Sequence, residues 1–503
     1  MTDNHNLYHA FERQFLAAGD APALTPPQGK PGLSYRDLAE GAARYANALL
    51  ALGVKPGDRV TVQVEKSAAN VLLYLGALKA GAVYQPLNTA YSPSELDYFI
   101  ADAMPSVIVS DPASARPARD IAGRHGGTVV TLDPAGGGEM VDLAAGASPD
   151  HETVSRTADE LAGLLYTSGT TGRSKGAMIT HGNLVSNTEA LHEAWRFTPG
   201  DVLLHALPIF HVHGLYVALG TAFLNRSEIL WHQKFDADAV MRDLPGASVM
   251  MGVPTFYTRL VMRDDLTEDS CAHMRLFVSG SAPLLAETHK TFEARAGHRI
   301  LERYGMTETG MITSNPYDGE RRAGTVGYPL RGISVRIADE EGREVATGEV
   351  GMIEVKGPNV FKGYWGMPEE TAKSFRADGY FVTGDLGVME ADGRVSIVGR
   401  GKDLIISGGL NIYPKEIEIE LDAMQGVTES AVIGVPHPDF GESVVAVVTG
   451  SPPPEPEMIA QLSGRLARFK VPKRIFTIPE LPRNVMGKVQ KSELRQKFAD
   501  TFR

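Results

Sequence analysis

An apolar run that stops at Tyr166 and gives way to hydroxyls, glycines and cations sets the terms for the whole chain. Leu164-Leu165-Tyr166 closes a short strand. Thr167-Ser168-Gly169-Thr170-Thr171-Gly172-Arg173-Ser174-Lys175-Gly176 follows, before a second apolar run at Ala177-Met178-Ile179. Gly169, Gly172 and Gly176 let the backbone approach a ligand and take up positive φ without strain. Thr167, Ser168, Thr170, Thr171 and Ser174 supply hydroxyls, and Arg173 and Lys175 supply charge. That composition suits an anion nest, a cradle of N–H groups around phosphate. The Walker pattern is excluded, because Gly172-Arg173 stands where that motif would still be running. A flexible Gly/Ser/Thr surface loop is the plainer alternative.

A chain of 503 residues exceeds what one hydrophobic core organises, so at least two domains are expected. With 43 % apolar and 22 % charged residues it is neither disordered nor fibrous. Its net charge of −12 excludes a general nucleic-acid partner, and an anionic substrate must be met by locally placed cations. The single cysteine, Cys271, can form neither an internal disulfide nor a metal cluster, which fits a reducing compartment. Met1-Thr2-Asp3-Asn4-His5 shows no basic or apolar leader. No apolar run approaches the ~20 residues that span a bilayer. The expectation is a cytoplasmic protein without a membrane partner.

Strand and helix patterns alternate through residues 1–160. Leu38, Ala42, Tyr45, Ala46 and Leu49 recur at helical spacing, and Arg59-Val60-Thr61-Val62-Gln63-Val64 alternates as a strand. Such alternation predicts a mostly parallel sheet covered on both faces. Further on, Ser248 to Pro254 and Phe277 to Pro283 read as strands that run into turns. His211 and His213 lie two apart, but no carboxylate or cysteine stands at metal-ligand spacing. His213 reads as a helix-start or core residue. Residues from about 404 form a smaller α+β pattern, and Gly401-Lys402 lies between the two differently organised halves, as a domain boundary would.

The string from Tyr166 to Gly176 resembles the signature of the adenylate-forming superfamily, which groups acyl-CoA synthetases, firefly-type luciferases and the adenylation domains of peptide synthetases. Further stretches fall in that family's order, and the resemblance covers nearly the whole chain. It implies an α/β fold combined with α+β. A large N-terminal domain (1–399) would hold stacked, mostly parallel sheets flanked by helices, plus a small β-barrel-like part. A hinge at 400–403 around Lys402 would join it to a small mobile α+β domain (404–503).

The same resemblance assigns roles. Thr167, Ser168, Gly169, Thr170, Thr171, Gly172 and Lys175 would cradle the phosphates of ATP. Gly280-Ser281-Ala282-Pro283 would lie beside adenine. In Leu301-Glu302-Arg303-Tyr304-Gly305-Met306-Thr307-Glu308-Thr309, Tyr304 would stack on adenine, with Gly305 and Met306 next to it. Thr307 would meet the α-phosphate and Glu308 would reach Mg²⁺, an ion content with one carboxylate plus phosphate oxygens. Asp385 and Arg400 would hold the ribose. Lys488, in Pro482 to Val489, would swing over the ATP. Ser407-Gly408-Gly409 would pack against the pantetheine of coenzyme A, whose phosphates Arg468, Lys470 and Lys473 could take. His211 would line the acyl pocket.

Arg303 stands where many relatives have glycine, and Arg259 stands on the element lining the same pocket. Two guanidiniums near an acyl site are hard to reconcile with a fatty or aromatic acid, since a buried unpaired charge is costly. A second carboxylate on the substrate would fit, because arginine grips it in a fork. The alternative is a structural ion pair, for instance Arg303 with Glu302. Glu302-Arg303 before Tyr304, with Pro254 through Arg259, resembles malonyl-CoA synthetases. The implied reaction is ATP-dependent ligation of malonate to coenzyme A. Another short acid such as methylmalonate, with Met306 setting the room for substituents, an aryl acid, or loading of a carrier protein remain alternatives. Lys488 would also be a target for a lysine acetyltransferase and deacetylase, because acylation removes its charge.

Overall fold

In a computed structural model the chain is described over residues 4–27, 31–167, 174–407, 410–438 and 440–502. Ser168, Gly169, Thr170, Thr171 and Gly172 of the expected cradle, and Gly408 and Gly409 of the expected pantetheine turn, lie outside the described residues.

Helix Tyr35–Ala51 starts where Ser34 and Asp37 cap each other, and it buries Leu38, Ala42, Tyr45, Ala46 and Leu49 as their spacing predicts. It packs on helix Ala68–Lys79, where a Cβ on Gly76 would lie 2.5 Å from that of Tyr45. Only a glycine permits that approach. These helices cover a six-stranded sheet in the order 128–131, 107–110, 59–63, 83–86, 161–167, 175–180. Its neighbours are parallel, except that Leu161–Thr167 and Lys175–Thr180 form an antiparallel pair.

A nine-stranded sheet stacks nearby, and its parallel centre runs 301–306, 276–279, 249–252, 202–205, 228–231, 22–25. In sheets of this kind a ligand sits beyond the carboxyl ends of the strands. Met306, Ser279, Gly252 and His205 end these strands and mark that rim. The expected small β-barrel-like part is a four-stranded antiparallel sheet of Ser334–Ala338, Gly351–Lys356, Phe381–Met389 and Val395–Arg400.

The short turn Gly401–Asp403 leads to a smaller unit with a five-stranded sheet. Ile405, Ile412, Ile417, Leu421, Val432 and Val444 form a core of its own. Met486 belongs instead to the core of the large unit. Among the described residues no helix is long and apolar enough to cross a membrane.

Candidate active site

Strand Leu301–Met306 delivers the site, because successive side chains point to opposite faces. On one face the Tyr304 hydroxyl donates to Asp385 Oδ2 at 2.6 Å. Arg400 Nε lies 3.3 Å from Asp385 Oδ1, and the two residues are partners across the strand pair 381–389 and 395–400. A buried carboxylate is thus held between a phenol and a guanidinium, with lone pairs left for further donors.

On the other face Arg303 is only 4 % exposed, and its Nε and Nη2 have no hydrogen-bond partner among the described residues. Burial pushes its guanidinium down to about 9, so it remains charged at neutral pH. The expected alternative, a pair with Glu302, does not form. Glu302 accepts from the Gly324 N–H at 3.1 Å, and burial raises its carboxyl to about 8. A Cβ on Gly280 would lie 2.3 Å from Arg303 Cζ, so the guanidinium rests directly on that bare backbone.

Other unpartnered groups gather there. His213 is buried with Nδ1 3.3 Å from Ser281 Oγ and with Nε2 unpaired. The backbone N–H of His213 donates to His211 Nδ1 at 3.3 Å. Burial, reinforced by the Arg303 charge, holds His213 far below the usual imidazole range and brings His211 to about 4. Both rings are therefore neutral. Ser279 Oγ is buried and unpaired as well, and Ser281 holds a left-handed φ of 73°. Each orphaned polar group costs about 1–3 kcal/mol, so the cluster is built for an acceptor. An anion fits.

Past the strand, Glu308 is 6 % exposed and its Oε1 accepts the Tyr364 hydroxyl at 3.0 Å. Burial raises its carboxyl above the usual range. Thr307 is partly exposed next to it. Lys175 Nζ lies 2.7 Å from Glu370 Oε2.

Lys488 arrives from the smaller unit. Asn484 Oδ1 accepts the N–H groups of Met486 at 3.1 Å and Lys488 at 2.9 Å, which shapes the turn. Gly487 takes a φ of 73°, and a Cβ there would lie 3.0 Å from Thr255 Cγ2 of the large unit. Burial lowers the Lys488 ammonium to about 8; Arg400 adds to the effect and Asp385 opposes it. Next to this seam is a cavity of about 320 Å³, lined among others by Pro208, Phe210, Phe235, Phe256, Val485 and Met486.

The model of the AMP-binding enzyme family matches residues 11–365, and that of the AMP-binding enzyme C-terminal domain matches residues 416–488. The chain belongs to the AMP-binding enzyme family. A feruloyl-CoA synthase from Amycolatopsis is 37 % identical over 477 residues, covering 93 % of this AMP-binding enzyme and 95 % of the relative. A malonate–CoA ligase from Arabidopsis thaliana is 35 % identical over 480 residues, 88 % of this chain and 78 % of that one. ATP-bound MatB from Rhodopseudomonas palustris is 54 % identical, covers 99 % of this chain and 100 % of its own, and superposes with a TM-score of 0.96. For apo MatB the TM-score is 0.86.

The fold of this AMP-binding enzyme brings Tyr304, Asp385, Arg400 and Lys488 together, and it sets Arg303, His211 and the Gly280-Ser281 turn around one point. Gly305 and Met306 end the central strand, partly buried, as Ala282 is; Pro283 is exposed. Arg259 corrects the expectation of two buried arginines. It shares a helix face with Thr255 and Phe256, yet its side chain is exposed. The burial argument applies to Arg303 alone. Arg468 and Lys473 are exposed, and Lys470 is paired with Glu416 at 2.5 Å. Lys402 lies in the turn 401–403, and Ser407 ends a strand of the smaller unit, partly buried. His213, Ser279, Tyr364 and Glu370 were not foreseen as site residues. Only His213 carried a local signal, its spacing from His211.

Proposed function

We propose that this AMP-binding enzyme is a malonyl-CoA synthetase. It adenylates malonate with ATP and passes the acyl group to coenzyme A, giving malonyl-CoA, AMP and pyrophosphate. Arg303 carries the reading: a buried guanidinium with two unpaired donors and, among the described residues, no carboxylate paired with it. The second carboxylate of malonate supplies the missing partner as a fork, with Ser279, His211 and His213 around it. Feruloyl-CoA synthase among the relatives favours an aryl acid as the second reading. An aromatic ring would leave Arg303 buried and unpaired, so malonate is preferred.

Malonate is already ionised at pH 7, so adenylation needs no general base. The obstacle is bringing one anion to another, and locally placed cations remove it. Lys488, which feels the charges of Asp385 and Arg400, would lie over the ATP that this pair holds by its ribose, with Thr307 beside the reacting phosphate. Residues 167–175, Lys175 among them, cradle the remaining phosphates, and 280–283 flank the adenine next to Tyr304. Glu308 is the carboxylate that would hold Mg²⁺, which supplies charge neutralisation on the phosphates when bound. For the second step we propose that residues 404–503 rotate about 400–403, withdrawing Lys488 and bringing Ser407-Gly408-Gly409 to the thiol. We assign the thiol's route to the cavity of about 320 Å³ that Phe210, Phe256 and Met486 help to line, with Arg468 and Lys473 on the surface for its phosphates. Lys470 would first have to leave Glu416. A cytoplasmic setting and regulation by a lysine acetyltransferase and deacetylase acting on Lys488 complete the reading. Unchanged adenylation in a sample acetylated at Lys488 would sink that regulation.

The deciding experiment measures pyrophosphate release with malonate, methylmalonate, acetate and ferulate, with and without coenzyme A, and identifies the acyl product. Malonate should exceed acetate in kcat/KM by more than tenfold and yield free malonyl-CoA. Acetate or ferulate matching malonate discards the substrate, and turnover only onto a carrier protein discards coenzyme A. Gly280→Ala is expected to raise the KM for malonate while leaving Tm nearly unchanged. Its new Cβ meets the far end of a flexible side chain, so the guanidinium shifts rather than the sheet. A displacement of about 1 Å at a positioning group can cost ~100-fold.

A further inference from the structure

Lys175 opens strand Lys175–Thr180 with its side chain 13 % exposed. Besides Glu370 it meets Tyr364, whose ring centroid is 5.1 Å from Nζ. Tyr364 turns its hydroxyl to Glu308. One aromatic side chain therefore has the lysine over its face and the Glu308 carboxylate at its tip.

The backbone around it is stitched from both sides. Trp365 N–H donates to Gly176 O at 2.7 Å, Met178 N–H to Gly363 O at 2.9 Å, and Phe361 N–H to Glu308 O at 2.7 Å. Helix Pro368–Ser374, which carries Glu370, is tied to the same segment, since Thr371 Oγ1 accepts the Tyr364 N–H at 2.9 Å. Glu370 also has Lys373 at 3.3 Å on its other oxygen. Exposed ion pairs generally contribute little to stability. This one, unlike them, ends on a lysine with little exposure, held over a buried ring.

We propose that Glu370 is a positioning residue for the nucleotide. It holds the Lys175 ammonium above Tyr364, so that the lysine's remaining N–H groups serve the polyphosphate while Tyr364 fixes Glu308 on the other side. An ammonium has three donors and Glu370 occupies one. Without the carboxylate, a flexible side chain is ordered anew each time nucleotide binds. The inference rests on the ATP-binding reading of this site and is independent of which acid is used.

The test is calorimetric binding of the magnesium complex of α,β-methylene-ATP to wild type, Glu370→Gln, Glu370→Ala, Lys175→Met and the double variants. Both Glu370 substitutions should weaken binding by about tenfold, and in the Lys175→Met background they should change nothing. The KM for malonate at saturating ATP should not move. Affinity within twofold of wild type overturns the proposal, as does an undiminished loss in the Lys175→Met background. A lowered Tm with unchanged affinity assigns the pair to stability and overturns it too. A wild type that does not bind the analogue sinks the nucleotide reading together with the inference. One that binds it without turning over malonate sinks the substrate alone.

Discussion

Lys488→Ala is expected to slow malonate-dependent pyrophosphate release by ~10²–10³-fold, the scale of losing one preorganised charge at a transition state. Thioester formation from preformed malonyl-adenylate and coenzyme A should stay within a few fold of wild type, because the proposed second step withdraws this lysine. Quenched-flow assay of each half-reaction separates the two; equal loss in both would refute the division of labour. The pH dependence has a definite sign. Lys488 acts as a cation, and its ammonium is lowered to about 8. The adenylation kcat/KM, which reports the free enzyme, should therefore fall as pH rises through about 8, and this limb should be missing in Lys488→Ala. Arg303, at about 9, gives way only later. Stability follows the same shift. A lysine lowered by burial disfavours the docked turn most below about 8, and the penalty fades between there and the ordinary value of 10.5.

Arg303→Ala should reduce kcat/KM for malonate by about 2–5 kcal/mol, the range for removing one member of a buried charge pair. At 1.36 kcal/mol per tenfold this is ~30- to ~5,000-fold. Arg303→Lys should recover little of it, since a point charge lacks the planar fork that takes two oxygens at once. Arg303→Met should narrow the gap between malonate and acetate by removing the buried charge that a monocarboxylate leaves unpaired. The ratio of kcat/KM for the two acids is the readout. A ratio unchanged in Arg303→Met would return this arginine to a structural role.

Much of this was legible one element at a time. The helix around Leu38 to Leu49 and the strand at 59–63 carry their own periodicity, and Tyr304, Glu308, Asp385, Arg400 and Lys488 stand in motifs. What failed was depth. Arg259 stands on the element assigned to the pocket, but position on an element does not say how deep a side chain lies, and this one is exposed. The Glu302–Arg303 pair could have been excluded from sequence, because adjacent residues of a strand point apart. The rest is long-range. Gly280 beneath Arg303, Tyr364 against Glu308, and Glu370 on Lys175 across 195 positions are contacts made by topology. No local pattern encodes them.

Met486 gives the two-position cycle a numerical handle. It lies 6 % exposed in the core of the large unit, two residues from Lys488 and in the wall of the cavity proposed for the thiol. Burying a methionine is worth about 2 kcal/mol, or ~30-fold in the ratio of docked to released molecules. In the proposed cycle this contribution favours the docked arrangement and works against the cost of burying the Lys488 ammonium there. Replacing Met486 by alanine would therefore shift the proposed cycle toward the released arrangement.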